Sequence, residues 1–443
     1  MSPTPSRPAS SSGETPVLPN QELGPDEPRP HETRNFWTLV VYNIVMRTGW
    51  IFKTESSIMP AVLDSLSESG WVRGSLPLLN RFGQSVPPLL MARTIAKLRK
   101  KKRAFVLTTS SMALIFGGLA AIWLVPGLAS SPLAAFLFLL LYAMFFMVIG
   151  VNQLTYNTLQ GKLIRATRRG RLLMLADTVG ATSAVVCAVV LLSQWLTPDK
   201  VDAVRIFGFS AFLFSFSTIT AMLLKETPDT MDLPPQAWHE PFWHAVQLLR
   251  SDVRLRRVGL VAALFSTSLV LFPHYQNLAK NQLGLNSSYL VLWVVAQNIG
   301  TALFSIVTGP LSDRFGNRLS LRILTLAICS APQLALWMEA HPPEELRWFA
   351  MVFLLVGMTP VTQKTLYNYT LEIAARVDQP KYLSTLNLCM GAPILFSPLV
   401  GMAIDAFGHT AIYHAVTVVL ALGALACWRL DEPRFQSHEA AKF

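Results

Sequence analysis

Charge is what this sequence has least of. Only 14% of its 443 residues are Asp, Glu, Lys or Arg, against 52% hydrophobic, whereas a soluble domain carries roughly a quarter charged residues. So few charges cannot solvate a water-facing surface, which excludes an ordinary soluble globular chain. Acids are scarcer than bases, 26 against 37, leaving a net charge of +11. In a soluble chain that excess points to nucleic acid. Here the bases cluster in short runs between apolar stretches, as in membrane loops, so no nucleic-acid partner is expected. Cysteine is nearly absent. Cys187, Cys329, Cys389 and Cys427 all fall inside apolar stretches without metal-type spacing, which excludes a disulfide or zinc framework. No phosphate-binding loop, paired-aspartate motif or Ser-His-Asp constellation sits in a plausible loop. Neither a cofactor nor enzyme chemistry is expected.

What is present is apolar length. About 20 apolar residues cross the roughly 30 Å hydrocarbon core. Twelve such spans are legible: 36–61, 71–93, 104–126, 132–158, 170–196, 204–224, 254–277, 287–311, 319–339, 346–371, 381–404 and 409–429. The first, second and tenth are interrupted by charges. The fold class is therefore an all-α membrane protein of twelve transmembrane helices. The longest break, 225–253, holds four prolines and then the amphipathic run Phe242–Arg250, which reads as a helix on the membrane surface. It divides the chain into two six-helix bundles, 36–224 and 254–430. Residues 1–35 hold eight prolines and almost no bulky apolar side chain; they read as a disordered tail, and 431–443 as a second tail. Lys and Arg crowd the loops after spans 2, 4, 8 and 10 and are sparse in the alternate loops. By the positive-inside rule both termini are cytoplasmic, in a multi-pass protein of the cytoplasmic or plasma membrane.

The halves echo each other. At one constant offset Tyr156-Asn157 matches Tyr367-Asn368, Leu175 matches Leu386, and Gly180-Ala181 matches Gly391-Ala392, as expected of related halves. After span 8 comes Gly309-Pro-Leu-Ser-Asp-Arg-Phe-Gly-Asn-Arg318. This run resembles the cytoplasmic loop signature of the major facilitator superfamily. The resemblance implies a monomeric secondary transporter, symporter or antiporter, with the motif residues Gly309, Asp313, Arg314, Gly316 and Arg318 helping to gate the cytoplasmic side. It places Asp313 against a helix N-terminus of the other half, here near Gly170-Arg171. The equivalent first-half loop, Ala92–Arg103, keeps only positive charge, and Gly401-x-x-x-Asp405-x-Phe-Gly408 repeats part of the motif at the other side.

Charges inside the spans mark the site. Each costs about 2.5–3.5 kcal/mol at mid-bilayer, so Arg47, Arg81 and Lys364 would cost roughly 8–10 kcal/mol facing lipid. They are expected to face a cavity. With Asn152, Gln153, Tyr156, Asn298, Tyr367 and Asn387 they form the candidate substrate-binding set. Glu55 and Asp177 are the candidate proton-coupling groups, because a partly buried carboxylate can be tuned for proton exchange. Three cations against two or three acids give a cavity suited to a small polar or anionic organic solute; pairing of Arg47 with Glu55 or Asp177 would leave it neutral. The expected function is alternating-access transport, with the bilayer and a small-molecule substrate as partners. A transport-inactive sensor or scaffold of the same shape is the alternative.

Overall fold

A computed structural model describes residues 29–197, 200–228, 240–341, 346–374 and 378–432. Most of the 1–35 tail, part of the 225–253 linker and the 431–443 tail beyond Glu432 lie outside the described residues. So do the side chains of Asp177 and Asp313.

Twelve long helical spans run in sequence. In the first half they are Glu32–Ile51, Gly70–Lys97, Lys101–Leu124, Leu133–Leu163, Ala166–Trp195 and Ala203–Met222. In the second they are Val253–Asn281, Tyr289–Phe315, Asn317–Ala340, Leu346–Ile373, Gln379–Phe407 and His409–Arg429. Ten are long and apolar enough to cross a membrane. The other two, spans 1 and 2, carry Arg47, Arg73 and Arg81, which lower their hydropathy. Span 1 is shorter than its apolar run: the helix stops at Ile51, and a separate helix, Ile58–Asp64, leads to span 2. The loop between spans 2 and 3 shrinks to Leu98–Lys100, because the basic run on either side is helical. The amphipathic stretch of the linker is a helix, Glu240–Ser251, packed on spans 7 and 11.

Glycine lets neighbouring spans touch through their backbones, the packing mode that works where no hydrophobic force drives helices together. Spans 2 and 4 meet at Gly83 and Gly150: a Cβ on either would strike backbone of the other helix. Spans 8 and 10 meet the same way at Gly300 and Gly357, with Thr301 Oγ1 donating to Gly357 O at 3.0 Å. These glycine pairs occupy equivalent places in the two halves.

The halves are also tied down alike at the end where the termini lie, here the terminal end. Just past span 6, the Glu226 carboxylate accepts the Lys101 and Lys102 backbone N–H groups at 3.1 and 2.8 Å and the Lys162 ammonium at 2.9 Å. Just past span 12, Glu432 accepts the Arg318 N–H at 3.3 Å and lies against Gly316. Each acid sits on the N-terminus of the third helix of its own half, where unpaired N–H groups and the helix dipole favour a carboxylate. The sequence signal is an acid followed by proline immediately after the last span of each half, Glu226-Thr-Pro228 and Glu432-Pro433.

Candidate functional site

The polar residues of the spans form two sets. The first belongs to one half alone. Tyr42 donates to Asn152 Oδ1 at 3.0 Å, and the Asn152 amide donates to Thr108 and Thr109 at 2.9 and 3.0 Å. Asn152 is thus buried between spans 1, 3 and 4 and holds them together. Asn298 donates to Val294 O of its own helix, and Gln153 is exposed. Asn43 donates to Tyr156 OH at 2.7 Å, joining spans 1 and 4.

The second set crosses from one half to the other. Arg81 on span 2 donates to Gln363 on span 10 at 3.5 Å. Gln363 donates to Tyr367 OH, and Tyr367 to Asn387 on span 11, both at 2.7 Å. Three candidates, Arg81, Tyr367 and Asn387, are thereby brought into one chain. A second link is Ser56 to Gln297. The other two cations stand apart. The Arg47 side chain lies over Gly180 of span 5, where a Cβ would meet its Cδ at 3.0 Å. Lys364 lines a cavity of about 350 Å³ between spans 8, 9 and 10, together with Ser305, Gly309, Ser312 and Glu372. That cavity joins the basic candidate to the first glycine of the loop motif.

Glu55 is engaged, and not with Arg47. Its Oε1 accepts the fully buried Lys53 ammonium at 2.7 Å, and its other oxygen meets Asn80, which in turn meets Gln84. Lys53 lies 3.6 Å over the Trp50 ring, and Phe146 flanks it, so cation–π attraction compensates part of its lost hydration. Of the two pairings open to Arg47, the one with Glu55 gives way to Lys53.

The loop motif builds a helical corner. Gly316 between spans 8 and 9 has φ 84° and ψ 164°, a left-handed φ that favours glycine. Arg318 donates to Leu430 O at 3.3 Å and Arg322 to Trp428 O at 3.2 Å, clamping the corner to the end of span 12. Arg314 is exposed. The partnership expected between Asp313 and Gly170-Arg171 rests on the Asp313 side chain, which lies outside what the structure describes.

At the far end of the molecule the partial echo of the motif forms the same corner. Gly408, between spans 11 and 12, has φ 80° and ψ 170°, nearly the angles of Gly316. Its acid, Asp405, accepts the Gly70 N–H at 2.6 Å, capping span 2 of the other half. Ser397 donates to Gly74 O at 2.7 Å, and Gly70 and Gly401 approach backbone to backbone. Contacts between the halves concentrate here. At the terminal end, among the described residues, the ion pairs Arg165–Glu32, Lys162–Glu226 and Arg257–Asp431 each run within a half. Sequence reasoning found the echo without its partner, because Gly70 is contiguous with nothing that marks it as a receptor.

The comparisons agree with this architecture. Residues 258–442 match the model of the Major Facilitator Superfamily, and no curated protein matches the chain by sequence. A crystal structure of the nucleoside transporter NupG superposes with a TM-score of 0.69 at 12% identity, over 90% of this chain and 100% of that one. The xylose transporter XylE from E. coli, inward open, gives 0.67 at 12% identity over 89% and 95%. The human organic anion transporter MFSD10 gives 0.59 at 14% identity over 90% and 100%. Residues 258–442 thus match the Major Facilitator Superfamily by sequence, and the whole chain has the twelve-helix fold of the transporters it superposes on.

Proposed function

We propose that the protein is a secondary active transporter that moves a small polar or anionic organic solute by alternating access, coupled to protons. The observation that carries this reading is the chain from Arg81 through Gln363 and Tyr367 to Asn387, which joins the two halves deep between their spans. Arg81 makes a single long bond within that chain, to Gln363, so its fork of donors can take a carboxylate or phosphate, and it sits where such a solute would be shared by both bundles. Arg47, over Gly180, and Lys364, in the cavity beside Gly309, add positive charge on either half outside that chain. Glu55 couples the proton: protonating it would free the Lys53 ammonium, so proton and anion would enter together without stranding a buried charge.

The bundles 36–224 and 254–430 rock about this site. With the termini on the cytoplasmic side, as the loop charges favour, the far end is the outer one and the contacts gathered there belong to an inward-facing state. The two D-x-F-G corners then alternate: Asp405 holds the outer side shut in this state, and Asp313 holds the inner side shut in the opposite one. XylE, whose structure is inward open, is among the proteins of matching shape.

The test is uptake of radiolabelled organic anions into proteoliposomes with an imposed pH gradient. Uptake that collapses without the gradient, and weakens in Arg47→Ala, Arg81→Gln and Lys364→Ala, is expected. Uptake untouched by all three substitutions removes the anion assignment.

A further inference from the structure

Among the described residues, several buried polar atoms near the far-end contact lack a hydrogen-bond partner, the Ser57 and Tyr413 hydroxyls and one imidazole among them. His274, on span 7, is wholly buried, and neither ring nitrogen meets a hydrogen-bond partner. Its segment, Phe272–Asn281, packs on Ile58–Asp64 and on span 2, both in the other half. The ring therefore lies in the seam that must part if the far end opens.

The charged groups around the ring come from both halves. From span 2 comes Arg73, almost fully buried and within electrostatic reach of His274. From the short helix comes Asp64, whose Oδ1 accepts Arg73 Nε at 2.8 Å while its Oδ2 has no partner. From the span 12 corner comes His409, which is bonded to Asn277 at 3.2 Å and feels both Arg73 and Asp405. Lys280, on the same segment as His274, and Glu68, beyond the short helix, act on Asp64. Glu339 of span 9 acts on the neighbouring Tyr413. The groups that reach His274 directly, Arg73 and His409, are a cation and a second imidazole. The Asp64 carboxylate is committed to Arg73.

We propose that His274 is a proton-binding site of the outer gate, empty of its second proton while the seam is closed and filled when the seam parts. This deepens the proton-coupled reading above and rests on it for the assignment of the outer side. An imidazolium sealed here would be an unpaired cation beside Arg73, and an uncompensated buried charge is strongly disfavoured. Parting the halves brings water to the ring, and a hydrated imidazole takes its proton between roughly pH 5 and 8. The open state thus binds one proton more than the closed state. By linkage, a fall in outer pH favours opening, by up to about tenfold in the open-to-closed ratio per pH unit. Closing expels that proton, so the gate shuts readily once its outer face is neutral.

The test needs no substrate. The four native cysteines are replaced, spin labels are placed at Ser69→Cys and Thr410→Cys on either side of the seam, and distances are measured in the full chain in nanodiscs from pH 8 to pH 5. The long-distance fraction is expected to rise as pH falls, to stay flat in His274→Gln, and to rise normally in His409→Gln. A short distance at pH 8 in His274→Gln certifies that the gate still assembles. His274→Leu, which fills the same pocket, serves as the second variant and is also expected to be flat. A flat response in the parent overturns the proposal, as does a response that survives both His274 substitutions or vanishes only in Asp64→Asn. Anion uptake is scored separately, so the cargo reading and the gate reading can each fail alone.

Discussion

The Asp405 carboxylate accepts the backbone N–H of Gly70 at 2.6 Å, joining the corner of spans 11 and 12 to the first residue of span 2 in the other half. A carboxylate at a helix N-terminus satisfies an orphan N–H and meets the positive end of the dipole. The arrangement is an inverted copy of the one that the loop motif implies for Asp313, built at the opposite end by a corner with nearly identical backbone angles.

Removing that cap should loosen the closed far end. Capping interactions contribute about 0.5–2 kcal/mol, and one or two kcal/mol changes a two-state ratio by a factor of roughly 5–30. Asp405→Ala is therefore expected to raise labelling of a cysteine at position 410 by a membrane-impermeant maleimide by a factor in that range. Asp405→Asn, which keeps an acceptor but no charge, should fall between.

Closure also depends on the absence of a side chain. A Cβ at Gly401 would strike the Gly70 carbonyl, so Gly401→Leu should hold the far end apart, with maximal maleimide labelling and no uptake of any solute. Gly208→Ala is the matched control, because nothing lies within 4 Å of a Cβ there; its labelling should equal that of the parent.

The terminal-end clamps predict stability. The Glu226 side chain is wholly buried and its Lys162 partner is only 16% exposed. Breaking a buried pair by removing one member costs about 3–5 kcal/mol. Glu226→Ala should lower the thermal midpoint of the purified protein sharply, read by loss of the monodisperse chromatographic peak on heating. Lys381→Ala breaks the exposed pair with Asp378 and should change stability by less than about 1 kcal/mol.

Within the site, Arg81 and Gln363 should behave as one unit. Each single substitution, Arg81→Gln or Gln363→Leu, is expected to raise the KM for an anionic solute about tenfold, equivalent to 1.4 kcal/mol of binding. The double variant should cost less than the sum, since contacting residues are not additive. Full additivity in uptake kinetics would place the two residues on separate tasks.

Much of the molecule was legible before any coordinates. Twelve apolar runs fixed the spans because hydrocarbon leaves the backbone no partner but its own helix, and the observed helices begin and end within a few residues of them. The largest departure is span 1, where the apolar run puts Lys53 and Glu55 in the outer half of the span and they instead occupy a turn after Ile51, paired with each other. The glycine motif announced a corner because few other residues accept a φ near 84°. Its echo at Gly401–Gly408 was legible as a pattern too, through the same spacing of acid, phenylalanine and glycine.

Partnership was not legible. Local sequence determines which residues are helical, which cross a membrane and which must avoid lipid, since those are properties of a residue and its near neighbours. Only the tertiary structure decided that Asp405 would reach Gly70 and Glu226 would cap span 3. It also decided that Asn152 would bind its own half while Arg81 bound the other, and that His274 would be sealed without a partner. Those outcomes depend on distances between segments over a hundred residues apart, and helix packing, not composition, sets such distances.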